Sequence, residues 1–221
     1  MRAQLERRRA CLEAGDEPLG WKVGFGSPSS LERLALEGPL VGFLTRASLV
    51  ASGSTVSVGR WTSAVAEPEL ALYLRADVAG GSSGHEARVA IGALGPALEL
   101  ADVAGPTDDV EEILAGNIFH RAAVLGPESR ARAAGSVTGL EARLVRNSRQ
   151  VARTSDVEAL TGEIVGLVRH VAGVLAAFGE KLREGDVVIA GSVVPPLSVS
   201  PGDELRFELA PLGAVAVSLE P

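Results

Sequence analysis

Residues 64–74 read AVAEPELALYL, and two glutamates two positions apart inside an apolar run pose the first question about this chain. Successive side chains on a strand point to opposite faces. Glu67, Glu69, Ala71 and Tyr73 therefore share one face, and Pro68, Leu70, Leu72 and Leu74 the other. A half-exposed strand accounts for the pattern by itself, because glutamate is mostly a surface residue. A second stretch, GPALELADVAG at 95–105, puts Glu99 on the face of Ala97 and Ala101 and turns Leu98 and Leu100 the other way. Alanine neighbours leave a hollow in which a carboxylate fits. Three carboxylates in one hollow repel each other unless a cation balances them. Hard divalent cations take oxygen ligands, and magnesium prefers six in an octahedron, so three glutamates would leave about three positions for water or substrate oxygens. That is the open arrangement of a catalytic site. On spacing alone, the wet strand and the metal site both stand. Asp102 falls on the face opposite Glu99, and Asp108 and Asp109 read as helix-start residues.

Outward from these two strands, the pattern is mixed. Residues 2–14 read as a short helix, 20–27 (GWKVGFGS) as a strand entering a glycine turn, and 27–36 (SPSSLERLAL) as a capped helix. Strands are predicted at 56–58, 67–74 and 97–103, with helices at 84–94 and 107–126, the latter capped by Thr107 and Asp108. Residues 136–153 alternate with period two and read as a hairpin turning at RNSRQ. The run 158–182 is the clearest helix, with Ile164, Val168, Val171, Leu175, Phe178 and Leu182 three or four apart. Strand-like pieces at 186–192, 203–210 and 213–221 end the chain, with a proline-shaped loop at 193–203. No repeat or linker is visible. The economical reading is α+β, with residues 1–221 forming a single catalytic domain and 1–19 a short helical segment.

Composition narrows the function. The chain has 221 residues, 46% of them hydrophobic but only 4% aromatic, so valine, leucine and alanine must fill the core. A net charge of -7 argues against nucleic-acid and anionic-membrane partners, which require a basic patch. A single cysteine, Cys11, rules out an intrachain disulfide and fits a reducing compartment. No stretch resembles a signal peptide or a membrane span, and a cytoplasmic protein is expected.

The motifs GWKVGFGS, AEPELALYL, GPALELADV, LREGDVVIAGS and VSPGDELRFELAPLGAVAVSL occur in this order. Together they resemble the 2-keto-4-pentenoate hydratase and 4-oxalocrotonate decarboxylase family of the fumarylacetoacetate hydrolase superfamily, from about residue 20 to the end. The resemblance implies a β-rich, roll- or barrel-like core with flanking helices. It implies Mg2+ or Mn2+ held by Glu67, Glu69 and Glu99, and a catalytic lysine at Lys22. Gly191 and Ser192 of the AGS motif would lie near the substrate carboxylate, Asn117 matches a family asparagine, and Gly26 and Ser27 fall beside the lysine segment. It also implies a homo-oligomer acting on a small 2-oxo or 2-hydroxydienoic acid in aromatic-compound catabolism. Leu40 stands where relatives often carry aspartate, Ala190 where threonine is frequent, and Ile118 and Phe119 where small residues are usual.

The reaction expected is hydration of a 2-hydroxy-2,4-dienoic acid. Decarboxylation of an oxalocrotonate-type acid, C–C hydrolysis of an acylpyruvate and a degenerate non-catalytic homologue are the alternatives. Lys22 would neutralise the substrate carboxylate, or act as a general acid or base if burial lowers its pKa. The histidines are weak candidates: His85 follows a GGSSG turn, His170 lies in the long helix, and His120 sits one helical turn after Asn117. No G-x-S-x-G motif supports a serine triad.

Overall fold

The computed structural model describes residues 1–105 and 107–221. In chain order the elements are α1 (Arg2–Glu13), β1 (Pro18–Gly24), α2 (Pro28–Leu34), β2 (Leu40–Thr45), β3 (Leu49–Val50), β4 (Thr55–Ser57), β5 (Ala64–Leu74), α3 (Gly84–Ala90), β6 (Ile91–Asp102), α4 (Val110–Ala115), β7 (His120–Leu125), β8 (Glu141–Arg146), β9 (Arg149–Thr154), α5 (Ile164–Ala176), β10 (Val187–Ser192), β11 (Leu197–Ser198), β12 (Glu204–Ala210) and β13 (Gly213–Glu220). They form two mixed sheets with flanking helices. One runs β2-β1-β10-β5-β6-β7-β3, with β11 pairing to β5, and the other runs β4-β13-β12-β8-β9. The second sheet packs on the first through β12 and β13 against β6. The β-rich core with flanking helices expected from the sequence is the architecture found.

The two glutamate strands are the axis of the larger sheet. β5 and β6 pair antiparallel with Glu67 opposite Glu99 and Glu69 opposite Ala97. Directly opposed side chains lie on one face with Cβ atoms about 4.5–5.5 Å apart. The leucine face, including Leu70, Leu72, Leu98 and Leu100, is buried in the main core. Burying a leucine contributes roughly 1.5–3 kcal/mol, so this face fixes the register that brings the glutamates together. Behind them Ala71 and Ala97 are fully buried with Leu44 and Ile189. This face is not a wet strand surface: Glu69 and Glu99 are 0% exposed and Glu67 is half-buried.

Three predicted elements change. The helix expected at 84–94 ends at Ala90, and from Ile91 the chain is β6, pairing Ile91 with Leu74. Ser83 and Glu86 close a capping box at its start. The helix expected at 107–126 is confined to α4 and is capped by Asp109 instead of Thr107 or Asp108. After Gly116, residues Asn117, Ile118 and Phe119 all have positive φ (55°, 52° and 62°), which breaks the helix and redirects the chain into β7. The helix expected at 158–182 begins only at Ile164, after Gly162 at φ 79°, and Phe178 lies beyond its end, exposed. Its core face holds Ile164, Val168, Val171 and Leu175 as the spacing predicted. Among the described residues no helix is long and apolar enough to cross a membrane.

Candidate metal and substrate site

The glutamate face of β5 and β6 closes the bottom of a cavity of about 320 Å³. Glu67, Glu69 and Glu99 each offer a carboxylate oxygen within 4.8 Å of the others. Glu67 is half-buried and lines the cavity; the other two lie beneath it. Gly191 has φ 84°, where a side chain would be strained. Its N–H donates to Glu69 Oε2 at 2.8 Å, at the irregularity where β10 shifts register against β5.

Lys22 reaches this face from β1. It is 1% exposed, and its Nζ donates to Glu99 Oε1 at 2.5 Å and to the Ile118 carbonyl at 3.2 Å. The stem needs the space left by Gly42 on β2, where a Cβ would come within 2.8 Å of Lys22 Cγ. Burial alone would push the ammonium pKa down, but Glu99, Glu67 and Glu69 outweigh it and hold the pKa above the ordinary lysine value. Without a cation on the glutamates, their charge favours the proton-bearing form of Lys22; a cation bound there would offset that charge.

The carboxylates respond unequally. Burial opposes ionisation of Glu99, yet Lys22 and His120 overcome it and bring its pKa to about 2. Burial and the Glu99 charge push Glu67 up to about 7, against the pull of Lys22. Burial, Glu99 and Glu67 push Glu69 well above the ordinary value. One ammonium cannot compensate three carboxylates. Glu69 Oε1 and Glu99 Oε2 are buried without a hydrogen-bond partner among the described residues. Buried carboxyl oxygens without a partner are costly. A divalent cation would satisfy both oxygens and the charge, so the three glutamates fit one.

The other predicted site residues divide. Gly26, Ser27, Gly191 and Ser192 line the cavity with Lys22 and Glu67. Ser27 Oγ also caps α2 by accepting from Ser30 N–H, and Ser192 Oγ donates to the Val194 carbonyl at 2.6 Å. Asn117 does not line the cavity. Its Oδ1 accepts from Gln4 Nε2 (3.1 Å) and Phe43 N–H (2.9 Å), and its Nδ2 donates to the Phe43 carbonyl (2.9 Å). Those three bonds brace the left-handed turn that presents the Ile118 carbonyl to Lys22, a supporting role. Asp102 is likewise structural, accepting from the N–H groups of Thr62 and Ser63.

His120 belongs to the site more closely than the sequence suggested. Its Nδ1 lies 2.8 Å from Glu99 Oε1 and its Nε2 2.9 Å from Ser48 Oγ. Read as helical, one turn after Asn117, it was only a weak candidate to face the same cavity. Read as the first residue of β7, two positions before Ala122, which pairs with Leu100, it falls beside the glutamate strand. Gln4 gave no cue. Leu40 packs with Ile113 and Ile118 in a small apolar cluster that Phe25 and Phe119 join. Its replacement of an acid is thus matched by apolar neighbours.

Residues 24–220 match the family model described as fumarylacetoacetate (FAA) hydrolase C-terminal, and the chain belongs to that family. It is 24% identical over 213 residues to a 4-oxalocrotonate decarboxylase of Pseudomonas sp., covering 94% of this chain and 80% of that one. It is 26% identical over 213 residues to 2-keto-4-pentenoate hydratase 2 of Dechloromonas aromatica (strain RCB), with the same coverage. The fold superposes on 4-oxalocrotonate decarboxylase from Pseudomonas putida G7, solved with magnesium and adipate. The TM-score is 0.89 at 23% identity, over 98% of this chain and 83% of that one.

Proposed function

We propose that this protein is a divalent-cation-dependent enzyme that adds water to a 2-hydroxy-2,4-dienoic acid. The observation that carries the reading is the pair of unpartnered buried carboxylate oxygens, Glu69 Oε1 and Glu99 Oε2, clustered with Glu67, which lines a cavity whose wall also holds Lys22. Glu67, Glu69 and Glu99 would hold Mg2+ or Mn2+, and magnesium is the ion present in the decarboxylase structure of similar fold. A bound divalent cation would supply a Lewis acid for the 2-oxygen of the substrate head. The chain's own groups do the rest. Lys22 Nζ carries a proton beside that head and donates a charged hydrogen bond to its anionic oxygens. The Gly191 N–H fixes Glu69, and His120 and Lys22 together fix Glu99. Ile118, Phe119 and Val65 give the cavity apolar walls, which shed water from the conjugated part of the substrate. The resemblance further suggests a homo-oligomer and a place in the breakdown of aromatic compounds.

Decarboxylation of an oxalocrotonate-type acid is the second reading, and Leu40 favours it. With the acid replaced by an apolar cluster, Lys22 is the lysine or arginine that meets the carboxylates among the described residues. Loss of carbon dioxide requires an electron sink and one protonation, with no activated water. The two readings separate directly. Purified protein with magnesium is mixed with 2-hydroxypenta-2,4-dienoate, and its ultraviolet absorbance is followed. A decay that disappears in Lys22→Met supports hydration. Constant absorbance combined with carbon dioxide release from an oxalocrotonate-type acid assigns decarboxylation instead. Pyruvate release from an acylpyruvate would overturn both.

A further inference from the structure

Two residues that do not line the cavity, Ser48 and His120, form a chain of contacts that ends on Glu99. His120 is buried at the start of β7. Ser48 closes the single turn Arg46–Ser48 that leads into β3. β3 and β7 pair in parallel, Leu49 opposite Ala123, so one register places both residues. A serine hydroxyl has a single hydrogen to give. Ser48 Oγ gives it to the Thr45 carbonyl at 2.9 Å, so toward His120 it can only accept, and Nε2 is the donor across 2.9 Å. The ring is thereby held at both nitrogens, with Nδ1 against Glu99 Oε1 at 2.8 Å. That same oxygen also accepts from Lys22 Nζ, so its lone-pair directions are both taken. Oε2 is buried with no partner among the described residues. Glu99 is therefore divided into one pinned oxygen and one left over. Glu69 is divided the same way by a single donor, the Gly191 N–H on Oε2.

We propose that His120 and Ser48 are positioning residues that set the cation preference of this site: by pinning Oε1 they leave Glu99 to bind through Oε2 alone, which suits magnesium better than calcium. The inference rests on the cation reading given above. Magnesium demands near-ideal octahedral geometry with short bonds, whereas calcium takes roughly six to eight oxygens and accepts both oxygens of one carboxylate. Without His120, Glu99 loses one of the two restraints on Oε1 and is freer to offer both oxygens. Ser48 acts at one remove, by fixing the ring that holds Oε1. Removing a group that hydrogen-bonds a metal ligand from behind typically weakens metal binding by about ten- to a hundredfold.

Isothermal titration calorimetry of the full chain with magnesium chloride and, separately, calcium chloride tests this at one pH and without substrate. His120→Ala is expected to weaken magnesium about tenfold and calcium much less, so that the ratio of the two Kd values moves toward calcium. Ser48→Ala moves the ratio the same way by a smaller factor. It removes only a half-buried hydroxyl, and it carries the test if His120→Ala does not fold. His120→Asn, whose amide N–H stands where Nδ1 does, recovers part of the loss. A contact that merely supports the fold would weaken both ions alike. An unchanged ratio in either alanine variant, equal weakening of both ions included, overturns the assignment and leaves the cation reading intact. Failure of the wild type to bind either ion overturns the cation reading, and this inference with it.

Discussion

Glutamates on the two sheets of this protein meet opposite fates. On β12, Glu208 accepts from Arg143 and Arg206, and on β8, Glu141 accepts from Arg153 of the neighbouring strand. Each of those carboxylates is answered by an arginine at the surface. On β5 and β6, Glu67, Glu69 and Glu99 share a single lysine below the surface, and two of their oxygens have no partner. The segments PEL and FEL look alike as text. What separates them is the neighbouring strand, which supplies Arg143 to one and another glutamate to the other. A solvated ion pair contributes little to stability, whereas an uncompensated buried charge costs several kcal/mol, so only the second arrangement gains from a proton or a bound cation.

The sharpest way to break this contrast is Glu99→Ala. It leaves the Lys22 ammonium without the carboxylate it donates to, and breaking a buried pair costs about 3–5 kcal/mol. Urea unfolding should show that loss, and magnesium should no longer raise the Tm of the variant. A loss no larger than for a surface pair would erase the distinction between the sheets.

The next effect is one of pH. The folded value of Glu67, about 7, lies above its ordinary 4.5. Its contribution to stability is therefore fully present below pH 4.5 and is lost as the pH rises through about 7. In chelator, Tm should fall across that window; with magnesium, which favours the ionised carboxylates, the fall should shrink or vanish. Scanning calorimetry at both ends of the window decides it. Identical profiles with and without magnesium would remove the cation from the account.

A smaller change tests the support behind the lysine. Gln4→Met removes one buried hydrogen bond to Asn117 and should cost about 1 kcal/mol by urea unfolding. Turnover should fall with little change in magnesium affinity, because the glutamates are untouched. Smallest of all, Glu208→Gln on the second sheet should stay within about 1 kcal/mol of wild type, and that difference should close at high salt.

Much of this was legible in the sequence where a local period carried it. The alternation through Glu67, Glu69 and Glu99 predicted a shared face, and the register of β5 on β6 delivers it. The hairpin at Arg146–Arg149 and the core face of α5 followed from spacing in the same way. Lys22 was reached through the resemblance of its motif, since an isolated lysine carries no period. His120 was only a weak candidate, because it follows a helix-like run that three left-handed residues interrupt. Gln4 meets Asn117 across 113 positions of chain, and no local pattern reports a contact of that range. The departures at Leu40, Ile118 and Phe119 were visible as substitutions. That Leu40 and Ile118 are neighbours in one cluster needed three dimensions.

The left-handed run Asn117–Phe119 has a consequence for any attempt to improve this protein. Left-handed geometry disfavours residues with a Cβ, and a β-branched isoleucine at its centre most of all, so glycines there would relax the backbone. The same run aims the Ile118 carbonyl at Lys22 and places Ile118 and Phe119 on the cavity wall. Selection for heat resistance and selection for turnover would therefore pull this segment in opposite directions, and a library screened for one should be depleted in the other at these three positions.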